Sequence, residues 1–281
     1  MTVVNTNVSA SLSQAALAKN ERALGSAMES LSTGSKINSA ADDAAGLAMA
    51  SKFTSQIKGL DMAVKNANDG ISMINTAEGA LNEVTNMLQR MRELAVQSSN
   101  GTMTGDDRTY LNKEYQQLDK EIDRLEKNTQ WNSTNVLDGT VGSSGTVTFQ
   151  VSANFTAGSG GAASNDVVQV NFGNLATDTA SLGDVSTISN ANTAVGALDT
   201  AIKAVNEQRA TFGAASNRLE HAVDNMSNVR VNAEASRSRI EDTDYAKTTS
   251  ELAKAQIIQQ AGTAMLAQAN QSAQSVLSLL R

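Results

Sequence analysis

AQIIQQAGTAMLAQANQSAQSVLSLLR, residues 255–281, decides how the rest of the chain is read. No charged residue occurs between positions 255 and 280. Apolar residues recur at alternating steps of three and four, at Leu252, Ala255, Leu266, Ala269, Ala273, Val276 and Leu280, and only Gln259 and Gly262 interrupt the series. A period near about 3.5 residues is the seam of a helix that packs on other helices. The remaining positions are mostly Gln, Asn, Ser and Thr, with six glutamines among them. That surface is too polar for lipid, yet it lacks the charges that keep an exposed helix in water. Such a helix suits burial among protein partners on several sides, and the expected partners are other chains.

The first 33 residues mirror this pattern. Val4, Val8 and Leu12 step by four, and Leu17, Leu24 and Leu31 step by seven, with Met28 beside them. Lys19 and Arg22 cancel Glu21 and Glu29, so this segment is net neutral as well. After a loop at residues 32–35, the spacing predicts a second helix over residues 43–98. Its seam runs through Ile57, Leu60, Val64, Ala67, Ile71, Ile74, Leu81, Leu88, Met91 and Ala95, broken only by Glu78 and Thr85. At about 1.5 Å per residue such a helix is roughly 80 Å long, far beyond the usual length of about 11–12 residues.

Ser98, Ser99, Asn100 and Gly101 close that helix, and Thr104 followed by Asp106 and Asp107 reads as an N-cap. Leu111, Tyr115, Leu118, Ile122 and Leu125 form the stripe of a third helix. From Trp131 to about Leu182 the period changes. Residues 146–151 (TVTFQV) and 167–172 (VVQVNF) read as strands of a hairpin around the glycine-rich run at 158–161. Helix resumes near Asn190 and continues to about Ala235 through Val195, Leu198, Ile202, Val205, Phe212, Leu219, Val223, Met226 and Ala233. The fold class is mainly α: a long antiparallel helical rod or coiled-coil bundle with a small β-hairpin excursion in the middle of the chain. The two ends, each with a matching neutral seam, are expected to pair.

Composition agrees. Aromatics are 3% of the 281 residues, so the core is aliphatic and alanine-rich. Proline is absent, as befits long unbroken helices, which proline would end or kink. The net charge of -7, with no basic stripe, argues against a nucleic-acid partner. Without cysteine there is neither disulfide nor thiolate metal site. The first residues show no basic region followed by an apolar run, and no stretch is long and apolar enough to span a membrane. The expectation is cytoplasmic residence, or export without a cleaved signal peptide.

Little points to catalysis. His221 is the single histidine and reads as a surface residue, since His-paired nucleophiles and zinc sites need more partners. Residues 158–163 (GSGGAA) formally fit a dinucleotide fingerprint, but a strand rather than a helix follows, so a hairpin loop is the better reading. Asp42 and Asp43 read as cap and dipole complement rather than a metal pair. Arg237, Arg239, Glu241, Asp242 and Asp244 carry mixed signs at a helix break and read as a salt-bridged interdomain hinge. Six Asn-x-Ser/Thr triplets, at Asn7, Asn100, Asn132, Asn154, Asn225 and Asn270, are expected by chance in so polar a chain. Met73, Met87, Met91 and Met226 lie on or beside helix stripes as core filling. No catalytic, cofactor-binding or metal residue is assigned.

Several stretches resemble a known family. Residues 31–46 (LSTGSKINSAADDAAG) look like the N-terminal signature of bacterial flagellin, and residues 88–97 (LQRMRELAVQ) resemble that family's rod segment. Residues 236–246 (SRSRIEDTDYA) and 255–281 are similar to its C-terminal signature. The likeness covers about residues 1–140 and 190–281.

The resemblance implies a subunit that polymerises into the bacterial flagellar filament through its paired terminal helices. It implies a division in which 1–33 and 241–281 form the two halves of an inner filament-core domain. Residues 34–135 and 190–240 then form the helical rod domain, and 136–189 a short variable β-rich excursion. The filament-core seam would be Val4, Val8, Leu12, Leu17, Leu24, Leu31, Leu252, Leu266, Ala269, Ala273, Val276 and Leu280. The implied location is the extracellular flagellum, reached unfolded through the flagellar type III export pathway. Implied partners are further copies of the chain, a flagellin export chaperone on the C-terminal helix, and flagellar cap and hook-junction proteins. A vertebrate Toll-like receptor for flagellin would recognise the monomer through Arg90, Leu94 and Glu114. O-linked sugars are carried on the central Ser/Thr-rich segment, residues 143–189, in some members. A hook–filament junction protein shares such ends, and a chemoreceptor-like coiled-coil rod would share the seams. The run through residues 277–281 favours flagellin itself, and the β excursion disfavours a plain coiled coil. A peptidase insert has neither the length nor the HExxH it would need here.

Overall fold

The computed structural model describes residues 7–153, 166–174 and 182–279. Val4, Leu280, Asn154 and the glycine-rich run at 158–163 lie outside the described residues, as do the side chains of Ala273 and Val276. Among the described residues there are five helices: α1 (Val8–Thr33), α2 (Ala44–Ser99), α3 (Gly105–Asn128), α4 (Ile188–Glu241) and α5 (Tyr245–Leu279). Four short strands lie between α3 and α4: β1 (Gln130–Trp131), β2 (Thr134–Asn135), β3 (Thr146–Gln150) and β4 (Val167–Asn171). The fold is mainly α with a small β region, as the periodicity predicts. The chain separates into two compact units, residues 1–55 with 232–281 and residues 56–231.

Caps set the helix limits. The Asn7 side chain accepts from Ala10 N at 3.0 Å and starts α1, which Gly34 ends at φ 74° with its N–H on Ser30 O. This left-handed C-cap is open to glycine at little cost. Asp43 Oδ1 accepts from Ala45 N and Gly46 N at 3.0 and 2.9 Å and starts α2. Thr104 and Asp107 form a reciprocal capping box on α3. Helix α4 runs to Glu241, past the end near Ala235 that the sequence predicts. No Gly or Pro stands between Ala235 and Glu241 to stop it, so the break narrows to residues 242–244.

The larger unit packs α2 antiparallel to α4. Three ion pairs mark the register: Arg92–Asp199 at 2.6 Å, Arg209–Glu78 at 3.7 Å and Arg230–Asp61 at 2.9 Å. As numbering falls along α2 it rises along α4. These half-exposed pairs fix alignment more than stability, since such pairs contribute about 0–1 kcal/mol. Burial supplies the stability. The α2 seam is buried or half-buried from Ile57 to Ala95. Thr85, which interrupts it in sequence, satisfies its hydroxyl on Leu81 O at 2.7 Å. Glu78 leaves the seam for Arg209. Alanines 67, 77, 191 and 201 are fully buried, which lets backbones approach closely.

Helix α3 closes this core through Tyr115 and Ile122. The Tyr115 hydroxyl donates to Leu182 O at 2.6 Å, and burial pushes its pKa up. Strands β3 and β4 pair antiparallel, Val147 opposite Val170 and Phe149 opposite Val168. They lie within the predicted stretches, and Phe172 packs on Phe212 with ring centroids 5.1 Å apart. A Cβ at Gly70 would come within 3.0 Å of the Phe149 ring, so α2 presents bare backbone there. Strands β1 and β2 escape sequence reading. Asn132 and Ser133 both have positive φ, 47° and 64°, which makes a tight two-residue hairpin turn without the glycine that usually signals one.

Candidate assembly surface

Within the first unit, α1 and α5 pair along their length. Asn7 Nδ2 donates to Ala269 O at 3.0 Å, and Asn20 Nδ2 donates to Ala255 O at 2.7 Å. The helices are therefore antiparallel. On α1 the inward positions are Ala10, Ser13, Leu17, Asn20, Leu24, Ala27 and Leu31, at alternating steps of three and four. On α5 they are Leu252, Ala255, Gln259, Gly262, Leu266 and Ala269. Gln259 and Gly262, which look like interruptions in the sequence, are thus members of the seam. Glycine at 262 fits Leu17, whose Cδ1 would lie 3.3 Å from an added Cβ.

Leu17, Leu24, Leu31, Leu252, Leu266 and Ala269 occupy this intramolecular seam. Val8 and Leu12 do not: they are 63% and 72% exposed. Their four-residue steps drift away from a seven-residue repeat, and the small residues Ala10 and Ser13 face α5 instead. Ile257, Ile258 and Met265 are likewise exposed on α5. Leu12, Ser13, Ala16, Leu17, Ile258, Gly262 and Met265 line a concavity of about 290 Å³. The pair therefore mixes leucines with small residues inside and leaves further large apolar residues outside.

The loop after α1 is stitched to the α4–α5 break. Lys36 N donates to Glu241 O at 2.6 Å and Thr243 N to Gly34 O at 2.9 Å, with Ser35 bridging Asp242. Arg237 pairs with Glu241 at 3.8 Å, and Ser238 Oγ donates to Asp242 Oδ2 at 2.6 Å. Asp244 Oδ1 caps α5 through Ala246 N and Lys247 N. Arg239 is exposed. All five residues lie inside the first unit, Arg237, Arg239 and Glu241 on α4. In the same loop Asp42 Oδ2 accepts from Ser39 N, Asn38 N and Ser39 Oγ, and these bonds hold its carboxyl below the usual value.

In the second unit the Arg90 guanidinium bonds Glu114 Oε1 at 2.9 Å and Glu93 Oε2 at 3.0 Å. Those two carboxylates hold Arg90 firmly protonated. Leu94 is only 1% exposed. It packs in the core beneath this surface. Gln89, Arg92, Glu93, Val96 and Gln97 line a neighbouring shallow concavity of about 550 Å³, which sequence reading missed. Exposed Val96 on a charged face was its signal. His221 is exposed. Among the described residues no three His, Cys, Asp or Glu side chains converge to hold a metal, and no helix is long and apolar enough to cross a membrane.

Paired, largely uncharged chain ends with an apolar outer row, on a mainly helical body, define a self-associating structural protein. Residues 4–141 match the bacterial flagellin N-terminal helical region, and residues 195–280 match the bacterial flagellin C-terminal helical region. The chain is 50% identical over 255 residues to a flagellin of Halalkalibacterium halodurans, covering 91% of each. It is 43% identical over 286 residues to flagellin FlaB2 of Treponema pallidum, covering 99% of this chain and 100% of that one. The crystal structure of Bacillus cereus flagellin matches with a TM-score of 0.51 and 35% identity, over 58% of this chain and 88% of that one. The chain belongs to the bacterial flagellin family. It is a structural protein and not an enzyme, a subunit that self-polymerises into the extracellular flagellar filament.

Proposed function

We propose that the α1–α5 pair is the polymerising element and that its outer apolar row seats neighbouring subunits. One observation carries the reading: the pair leaves Val8, Leu12, Ile257 and Met265 more than half exposed, although its interior already holds Leu17, Leu24, Leu31, Leu252 and Leu266 among smaller residues. Scattered exposed apolar residues are ordinary, but several large ones gathered on one helix pair, with Leu12, Ile258 and Met265 lining one concavity, mark an interaction face. A subunit that meets its neighbour through two different faces need not close a ring, and an unclosed heterologous contact propagates as a filament. In this reading residues 1–33 and 241–281 form the filament core, residues 34–135 and 190–240 the rod domain, and 136–189 its surface excursion. Val4, Ala273, Val276 and Leu280 extend the same core. Sedimentation and negative-stain microscopy test it on the intact chain and on chains lacking residues 1–32 or 255–281, with and without filament seeds. Long filaments from the intact chain alone support the reading; filaments from either truncated chain refute it.

The finer functions rest on the same surfaces. Export proceeds unfolded through the flagellar type III pathway without a cleaved signal peptide, and a flagellin chaperone covers α5 beforehand because its exposed apolar row is an aggregation hazard. Cap and hook-junction proteins contact the same terminal helices at the filament's ends. Deleting residues 255–281 removes chaperone binding in this scheme. The vertebrate Toll-like receptor for flagellin engages the exposed Arg90–Glu114 face, with Leu94 acting through packing.

A further inference from the structure

Asn100–Gly101 is the single Asn-Gly dipeptide in the chain. It lies in the exposed turn between α2 and α3, where Asn100 N donates to Gln97 O and Met103 N to Asn100 O, both at 3.2 Å, while the Gly101 N–H is outside the regular helical ladder. Asn100 Oδ1 accepts from Thr102 N at 3.2 Å. That bond folds the side chain back over the Gly101 peptide and places an N–H donor on the amide oxygen. Arg108, itself buried, donates from Nε to Ser98 O and from Nη2 to Asn100 O, both at 2.9 Å. The second oxygen of the same residue is therefore polarised by a cation.

We propose that Asn100 is a site of spontaneous, fold-assisted deamidation that yields mainly isoaspartate. The Gly101 amide nitrogen loses its proton and bonds to Asn100 Cγ. Negative charge gathers on Oδ1, where Thr102 N–H stabilises it as an oxyanion donor does. The bond from Cγ to the side-chain nitrogen then breaks, and that nitrogen leaves as ammonia with the proton. A five-membered succinimide remains. One water opens it at either carbonyl, with no oxidant or co-reactant required.

Arg108 polarises the main-chain carbonyl of residue 100, so water adds there preferentially. Opening at that carbon frees the α-carboxylate and routes the chain through Cβ, which is isoaspartate. The new carboxylate forms at the atom Arg108 already holds. A negative charge at the C-terminal end of α2 is otherwise opposed by the helix dipole, and the guanidinium offsets that penalty. Gly101 contributes by its missing side chain: nothing blocks the approach of its nitrogen to Cγ. Its backbone is not left-handed, and an added Cβ would meet nothing within 4 Å. Gly101→Ala therefore folds normally while crowding the attacking nitrogen.

The test incubates the full-length protein in mildly alkaline buffer, folded and in urea, and maps peptides by mass spectrometry with an isoaspartate-specific methyltransferase. Asn100 is expected to convert ahead of every other asparagine, at least as fast folded as in urea, with isoaspartate the major product. In Gly101→Ala the folded rate falls about tenfold or more. Slower conversion folded than in urea, or another asparagine leading, overturns the proposal. So does an unchanged rate in Gly101→Ala.

Discussion

Leu12→Ala separates folding from polymerisation. Leu12 is 72% exposed in the subunit, so truncating it should change subunit stability by no more than about 0.5 kcal/mol, the usual range for surface positions. Polymerisation is different if the outer row of α1 and α5 is covered by neighbours. Leucine to alanine removes three carbon groups at about 0.8 kcal/mol each on burial, about 2.4 kcal/mol for a side chain that passes fully from water to interface. Only the share exposed in the subunit can be newly buried, so the 72% leaves about 1.7 kcal/mol. At about 1.4 kcal/mol per decade the critical concentration for filament growth rises about fifteen-fold. The assay is seeded growth followed by pelleting across a concentration series, with urea unfolding of the same subunit as control. Leu17→Ala, in the intramolecular seam, should instead weaken α1–α5 pairing in the subunit. A critical concentration for Leu12→Ala within about twofold of the parent would refute the assignment of this row to a subunit contact.

Tyr115→Phe removes the hydroxyl bond to Leu182 O and should cost about 1–2 kcal/mol in urea unfolding. Because burial raises the Tyr115 pKa, its stabilisation is complete below the ordinary tyrosine value near about 10. It is lost as pH rises above that, at up to about 1.4 kcal/mol per pH unit, so the phenylalanine variant should show a flatter alkaline limb. In acid the sign reverses. The Asp42 carboxyl is lowered by Ser39 N–H, Asp107 by the Thr104 hydroxyl and Asp184 by the Asn190 amide. Their contributions are present above the ordinary aspartate value near about 3.9 and vanish as pH falls through the lowered values. Asp42→Asn should therefore reduce the acid dependence of unfolding. Gly46→Ala would place a Cβ 2.4 Å from Asp43 Oδ2 and 2.5 Å from Ile37 Cδ1, and should destabilise by about 1–3 kcal/mol as overpacked sites do. Arg90→Asp should abolish receptor signalling by monomer in a reporter cell assay; full potency would count against the Arg90–Glu114 face.

The long helices of the second unit were legible because large side chains carry their periodicity. Leu81, Leu88 and Met91 repeat without relief, and Glu78 and Thr85 are too few to mask the pattern. The terminal pair was harder. Its seam interleaves leucines with Ser, Asn, Gln and Gly, which hydropathy does not mark as interior, while Val8 and Leu12 suggest a stripe that faces outward. Gly262 read as a gap because its function is to lack a side chain opposite Leu17. Leu94 shows the complementary limit. A resemblance can single a residue out, but only the structure shows that this one is buried. The β1–β2 turn was hidden because asparagine and serine there occupy positive φ without a glycine.

The distribution of residue sizes across α1 and α5 bears on how assembly is controlled. Hydrophobic stabilisation scales with apolar area removed from water. A seam in which Ala10, Ser13, Asn20, Ala27, Ala255 and Gly262 alternate with five leucines buries less of it than an all-leucine seam would, though close backbone approach permits the two asparagine bonds to Ala269 O and Ala255 O. Large residues moved into that seam would lock the pair and leave less apolar area for neighbours. Placed outside, Val8, Leu12, Ile257 and Met265 contribute only when another chain covers them. The absence of charge along residues 255–280 has the same consequence, because a charged rim would have to be desolvated whenever subunits meet. Ala10→Leu with Ser13→Leu tests the trade: the pair should become more resistant to unfolding if the larger side chains fit, while its altered spacing raises the critical concentration for growth. Greater subunit stability together with unimpaired polymerisation would show that the small-residue seam does not govern assembly.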